Sequence, residues 1–348
     1  MTRRSPARAP PCAVTGSVIL GLLRVVTASI VICTHNRARI LARAVDEAVS
    51  QARLAGAEVV VVDNASSDDT PAVLAGLVEH AAPTARAVRE PRLGLSAARN
   101  CGLAHARGAL AVFLDDDAVP RPGWLPALLA PFASPQVDCV GGRIVLRFPG
   151  APPPWLSLPL EKALSAYDLG PTSRPYTEDD EYPYGANISF RIATVRALGG
   201  FSTTVGVRGR RQFQHEETDL CCRITRAGGT LVYAPDAVVD HDVLAERLTP
   251  KWFIRRRWQH GQSAAIFDLR NRGIRPAFGR MRRIYRPYLM SVPYFPREPV
   301  DAGRLLDECR RREALGYLFG LLGGVPRLRM LRRDMTAPAR PKAGSPLP

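Results

Sequence analysis

The chain has 348 residues, 46% hydrophobic and 23% charged, a balance that excludes a disordered polymer and leaves room for one large domain or a domain with a sizeable extension. Its 7 cysteines follow neither metal-site nor disulfide-framework spacing, so the expectation is reduced thiols and a cytoplasmic protein. The net charge of +16 is lopsided: residues 241–348 hold 23 Lys and Arg against 9 Asp and Glu, so the last third calls for an anionic partner such as nucleic acid, anionic lipid or an anionic substrate.

Residues 1–26 read as a disordered or loosely attached extension. The apolar run 14–23 behind Arg3, Arg4 and Arg8 has the look of a signal-peptide core, yet cleavage near residues 27–29 would cut into a strand. From there, runs of strand length alternate with helical spacing. ASIVIC (28–33) is a β-branched strand, and Ile40, Leu41, Ala44, Val45, Ala48 and Val49 recur at helical intervals. Residues 59–62 form a second strand ending at Asp63-Asn64. Thr70-Pro71 reads as an N-cap followed by proline in the first helical turn. A third short strand (87–89), a helix (94–106) with Gly108 as its C-cap, and a strand at 109–114 complete the first half. This alternation predicts an α/β fold with a mostly parallel sheet and right-handed crossovers, in which ligands bind beyond the carboxyl ends of the strands.

That edge collects polar residues: Thr34-His35-Asn36-Arg37 after the first strand, Asp63-Asn64 after the second, and Asp115-Asp116-Asp117 after the fourth. Three adjacent carboxylates repel one another. They form either a solvated acidic loop or a site for a hard cation, Mg²⁺ or Mn²⁺, that in turn holds a diphosphate. Neither a Walker glycine loop nor a GxGxxG fingerprint is present.

SIVICTHNR (29–37), VVVVDNASSDDT (59–70), GLSAARNCGL (94–103) and FLDDD (113–117), in order and at ordinary spacing, resemble the inverting family-2 glycosyltransferases of GT-A fold, and the resemblance extends to about residue 263. It implies a GT-A domain over 27–245; beyond it, charge and apolar spacing read as a basic helical region over 246–335 and the Pro-, Ala- and Gly-rich end as a disordered tail over 336–348. It implies a nucleotide-diphosphate sugar as donor, with Thr34, His35, Asn36 and Arg37 lining the nucleotide pocket and Asp63 on the base. For Asp63 a turn or helix-cap role stands beside that one. Arg99 and Asn100 are expected near the donor, Arg99 alternatively in a surface ion pair. Asp115 matches the position nearest the ribose and sugar and Asp117 the metal ligand, with Asp116 also assigned to the donor. His241, in VVDHD (238–242), matches a third ligand in related enzymes, although a lone histidine also serves structure.

The acceptor side follows from the same resemblance. YGANISFR (184–191) supplies Gly185 and Asn187 at the sugars, Asn187 alternatively being a turn residue. HEETDL (215–220) stands where the family has E-D-x-D/E-L, which makes Glu217 the catalytic base, Glu216 its rival and Asp219 an acceptor-side residue. A helix is expected from 216 to 226 with Leu220 and Ile224 buried and Gly228-Gly229 ending it; helix-dipole preference alone also favours acids in that first turn. Arg257-Trp258 and Gly261 resemble the tail of a Q-x-x-R-W motif at the acceptor, but Ile254 stands at the glutamine position, which argues against a processive polymerase.

Residues 314–325 are apolar, too short to span a ~30 Å bilayer, and flanked by Arg310, Arg311, Arg312 and by Arg327, Arg329, Arg332, Arg333. They read either as a helix lying on an anionic membrane surface, on the inner face of the plasma membrane, or as one docked on the protein's own core. The combined expectation is transfer from a nucleotide sugar, UDP-linked first, to a glycan, lipid-linked or small-molecule acceptor. The alternatives are a sugar nucleotidyltransferase, whose glycine-rich basic loop is missing, and a non-catalytic anion- or nucleic-acid-binding protein, for which the basic third lacks a recognisable motif.

Overall fold

The computed structural model describes residues 27–177, 182–203, 207–208, 211–212 and 215–327. The N-terminal extension, the acidic stretch 178–181, the arginines at 329, 332 and 333 and the C-terminal tail lie outside the described residues.

The first half alternates as its sequence implies: β1 (Ala28–Thr34), α1 (Leu41–Ala55), β2 (Glu58–Asp63), α2 (Thr70–His80), β3 (Ala85–Arg89), α3 (Leu95–His105) and β4 (Leu110–Asp115). A short β5 (Ala118–Pro120) and α4 (Trp124–Leu129) lead to β6 (Val137–Arg147), and the two-residue β7 (Arg174–Pro175) precedes β8 (Asn187–Arg191). Helices α5 (Ile192–Ala197) and α6 (Glu216–Arg226) precede β9 (Thr230–Asp242). The main sheet runs β3-β2-β1-β4-β8-β6-β9-β5, with β7 beside β9. Strands β1 to β4, β6 and β9 point the same way; β8 runs against both its neighbours, β4 and β6.

Period-2 geometry explains why these strands are apolar throughout. Ile30 and Ile32, Val59 and Val61, Val112 and Leu114 face a core shared with Leu41, Val45 and Trp124. Their alternates Val31, Val60, Val62, Ala111 and Phe113 face the opposite core with Ala98, Leu103, Leu220 and Ile224. Both faces are therefore covered, as parallel sheets require.

Two local expectations change. Helix α2 begins at Thr70 itself, and the Thr70 hydroxyl accepts from the Arg37 amide at 2.9 Å instead of capping its own helix. Gly108 lies beyond the end of α3, where a β-carbon would sit 2.6 Å from the Ala28 carbonyl carbon. It is a glycine because two backbones meet there.

The described part of the basic third, residues 246–327, folds onto the domain as helices. Helix α7 (Pro250–Asn271) is capped by the Thr249 hydroxyl and packs along α8 (Ala302–Gly324). β-Carbons at Gly261, Gly316 and Gly320 would lie 2.0 to 2.7 Å from atoms of the facing helix. Ala314, Tyr317 and Leu321 are buried in that seam, so the apolar stretch docks on the protein's own core, while Phe319 and Leu322 remain exposed. Among the described residues no helix is long and apolar enough to cross a membrane.

Candidate active site

Register brings the polar clusters together. Thr34 lies opposite Asp63 across β1 and β2, and Cys33 lies opposite Asp115 across β1 and β4, so three strand ends finish on one edge. The chain then turns through Asp116 and Asp117 into β5, which pairs antiparallel with β9 so that Ala118 faces His241. That pairing is what carries a distant histidine to the aspartates.

The three aspartates do different work. Asp115, Asp117 and His241 each offer a ligand atom, and these atoms all lie within 4.8 Å of one another. His241 Nε2 is 3.1 Å from Asp117 Oδ1, and Arg247 donates to Asp117 Oδ2 at 3.1 Å. Burial works against ionisation of Asp117, but His241 and Arg247 hold its carboxyl well below the ordinary range. Burial likewise opposes charge on His241, and Asp117 outweighs it, raising the imidazole above its usual value. Two carboxylates and an imidazole fit a Mg²⁺- or Mn²⁺-type ion. Asp116 is turned elsewhere. It accepts from the Thr34 hydroxyl at 2.7 Å and lies 4.0 Å from Arg37, and burial with the Asp117 charge pushes its pKa up to about 7.

The loop after β1 is built from its own polar groups. Asn36 adopts a left-handed backbone (φ 54°) and its side-chain oxygen accepts from the Ser67 amide at 2.8 Å. The His35 ring meets the Asn64 carbonyl at 2.7 Å. Asp63 accepts from the Ser66 amide and from Arg89, both at 3.0 Å, so it has the turn role alongside its place at the strand edge. Asn64, unassigned from sequence, ties the neighbouring loop down through the Glu90 and Arg92 carbonyls and the Gly94 amide.

Arg99 joins the aspartates to a second acidic group. Its guanidinium is 3.1 Å from Glu216, 3.4 Å from Glu217 and 3.9 Å from Asp115. It rests over the rings of Phe113 and Phe201 and is 3% exposed, so the surface ion-pair alternative does not hold. Gly185 has no side chain because a β-carbon there would sit 2.0 Å from Arg99; its amide donates to Glu217 at 3.3 Å. One cation thus faces three carboxylates. Burial and the charge of Glu217 raise Glu216 to about 8, so Glu216 is predominantly the neutral acid at pH 7, and its Oε2 has no partner among the described residues. Glu217 keeps partial solvent access, with a side chain 17% exposed.

Three assigned residues are committed to the scaffold. Asn187 is fully buried; Trp124 donates to its oxygen at 2.8 Å, and its amide donates to the Arg143 and Ala237 carbonyls. Neither amide hydrogen is available for an acceptor hydroxyl. Asn100 exchanges two 2.8 Å hydrogen bonds with the backbone of Phe201 instead of reaching a donor. Asp219 is fully buried between Arg223 and Arg270, at 3.0 and 2.7 Å, with Asn271 at 3.2 Å. It fastens α6 to α7 and is sealed from any acceptor.

The Arg257-Trp258 pair also divides. Arg257 bonds Glu313 at 3.2 Å and the Pro159 carbonyl at 2.7 Å, and Trp258 packs against Phe319 with the rings tilted and lines a groove with Lys251 and Arg255. Arg256 instead senses the site: burial and the like charge of Arg247 lower it to about 10, while Glu216 and Glu217 act in the other direction. Arg247 carried no signal in the sequence, being one arginine among many.

Residues 29–197 match the model described as Glycosyl transferase family 2. A pre-mycofactocin glycosyltransferase of Mycobacterium tuberculosis is 36% identical over 180 residues, covering 51% of this chain and 36% of that protein. The succinoglycan biosynthesis protein ExoM of Rhizobium meliloti is 27% identical over 238 residues, covering 67% of this chain and 72% of its own length. The chain thus spans only about a third of the mycobacterial relative. In fold it is similar to the mannosyltransferase PcManGT of Pyrobaculum calidifontis, solved with GDP-Man and Mn²⁺, at a TM-score of 0.51 with 22% identity over 87% of this chain and 74% of that one. It is also similar to GalNAc-T7, solved with UDP, GalNAc and Mn²⁺, at a TM-score of 0.55 with 18% identity over 91% and 59% of the two chains. The matched segment and the doubly covered sheet with its acidic carboxyl edge lead to one conclusion: residues 29–197 match glycosyl transferase family 2, and the fold is that of the GT-A glycosyltransferases.

Proposed function

We propose that this protein is a metal-dependent inverting glycosyltransferase. It would move a sugar from a nucleoside-diphosphate donor, a UDP-sugar being the first candidate, to a hydroxyl of a glycan, lipid-linked or small-molecule acceptor in polysaccharide or glycoconjugate synthesis. The observation that carries this reading is Arg99, buried between Asp115 of the metal-type cluster and the Glu216-Glu217 pair. Leaving-group chemistry and acceptor activation need two such acidic centres side by side.

Asp115, Asp117 and His241 would hold the ion, and when bound it supplies positive charge for the departing diphosphate. Arg247 and Arg256 add fixed positive charge on the same side. Glu217 takes the proton from the acceptor hydroxyl. It has solvent access, and the Gly185 amide and Arg99 hold its two oxygens apart in a fixed orientation. Glu216, buried and neutral, is a positioning residue on Arg99. The hydroxyl oxygen then attacks the anomeric carbon as the bond to the diphosphate breaks on the opposite face, which inverts the configuration.

The test is a panel of UDP-, GDP- and dTDP-sugars, each with Mn²⁺ and with EDTA, scored by released nucleoside diphosphate. Metal-dependent release from one donor is expected. Release that EDTA leaves unchanged would refute the metal role, and no release from any donor with membrane extract as acceptor source would refute the transferase reading.

A further inference from the structure

The N-terminal half of α7 and the segment 294–300 enclose a groove of about 750 Å³ whose lining includes none of the three aspartates. Its lining is amphiphilic. Ile254, Trp258, Phe295 and Val300 give an apolar wall, whereas Lys251, Arg255, Arg297 and Arg312 supply four cations against one carboxylate, Glu298. Arg312 is paired with Glu308 at 2.7 Å. Lys251, Arg255 and Arg297 are exposed and form no ion pair among the described residues.

The neighbouring chain continues the pattern outward. Met290, Val292 and Phe295 are 85%, 84% and 72% exposed on one short segment. Isolated apolar side chains on a surface are ordinary, but a cluster bordering a cationic groove marks a binding site. A small soluble anion would leave the apolar wall unused, and an uncharged alkyl chain would leave three cations unanswered. An occupant with a hydrocarbon chain and a phosphate satisfies both.

We infer that this groove docks the chain on a bilayer by seating an anionic phospholipid, the phosphate against Lys251, Arg255 and Arg297 and the chain along Trp258 and Phe295. Met290 and Val292 then enter the interfacial layer. The inference does not rest on the transferase reading, because lipid binding is read without turnover.

The test is flotation of the full chain with phosphatidylcholine vesicles, with and without phosphatidylglycerol. Binding should require the anionic lipid. A K251A/R255A/R297A variant should lose roughly fivefold per cation, and F295S should weaken binding further. All four positions are partly or fully exposed, so melting temperatures of the variants should match the parent and separate lost binding from lost folding. Equal partitioning onto neutral vesicles, or an unaffected triple variant, would overturn the proposal. So would release of the protein from vesicles by millimolar inorganic phosphate, which would make the ligand a soluble anion, or by a single-stranded oligonucleotide, which would make it a nucleic acid.

Discussion

Arg99 and Glu216 lie 3.1 Å apart with both side chains almost wholly excluded from water, yet Glu217 and Asp115 draw on the same guanidinium. A buried charge is tolerated only with partners, and here the partners outnumber it. The surplus of acid explains why the carboxyl of Glu216 is pushed above its ordinary range although it touches a guanidinium.

Glu217→Gln should abolish transfer while donor affinity stays near that of the parent, because the substitution removes a base and keeps the shape. Glu216→Gln mimics a group that is already neutral and should retain most activity. Steady-state turnover beside donor titration separates the two. Equal loss in both variants would mean that the proton is not taken by Glu217 alone.

The raised pKa of Glu216 carries a sign. In its window, between the ordinary value of 4.5 and about 8, the folded state holds a proton that the unfolded state has released. Stability then falls as pH rises through that window, by at most ~1.4 kcal/mol per pH unit. Thermal melts in EDTA from pH 5 to pH 8.5 should show this slope in the parent; Glu216→Gln should reduce it, and the slope that remains below about pH 7 belongs to Asp116.

Metal binding should be readable without substrate. Mn²⁺ should raise the melting temperature of the parent, as any ligand specific for the folded state does. Asp117→Asn and His241→Ala should each remove that rise. Asp116→Asn should keep it, since Asp116 bonds Thr34 and is not among the clustered ligand atoms.

Asp219→Asn should be a folding defect. It leaves Arg223 and Arg270 buried without their carboxylate, which costs about 3–5 kcal/mol. Denaturant unfolding should report that loss, and whatever protein remains folded should bind donor as the parent does.

The sheet and its acidic edge were legible because the alternation of strands and helices along the chain and the apolar period are local properties. ASIVIC and FLDDD announce both a strand and what it delivers at its end. His241 was findable by resemblance, though only the pairing of β5 with β9 explains why it meets Asp117. Asn187, Asn100 and Asp219 resisted the reading, because a polar residue that bonds substrate and one that bonds a distant backbone look alike in sequence. Partners such as Trp124, Phe201 and Arg270 lie 51 to 101 residues away. The partners of Arg99 were hidden for the same reason: its three carboxylates meet only after the sheet has formed.

The glycine seam between α7 and α8 has a mechanical consequence. With Gly261, Gly316 and Gly320 pressing backbone on backbone, the pair forms a stiff strut. The 22 residues of α7 span ~33 Å. Lys251 and Arg255 of the groove stand at one end of this strut, and Arg270, gripping the helix that bears Glu217, stands at the other. Anchoring either end therefore fixes the bearing of the other, so the angle at which the Glu217-bearing helix meets the sheet is set in part from outside the acidic edge.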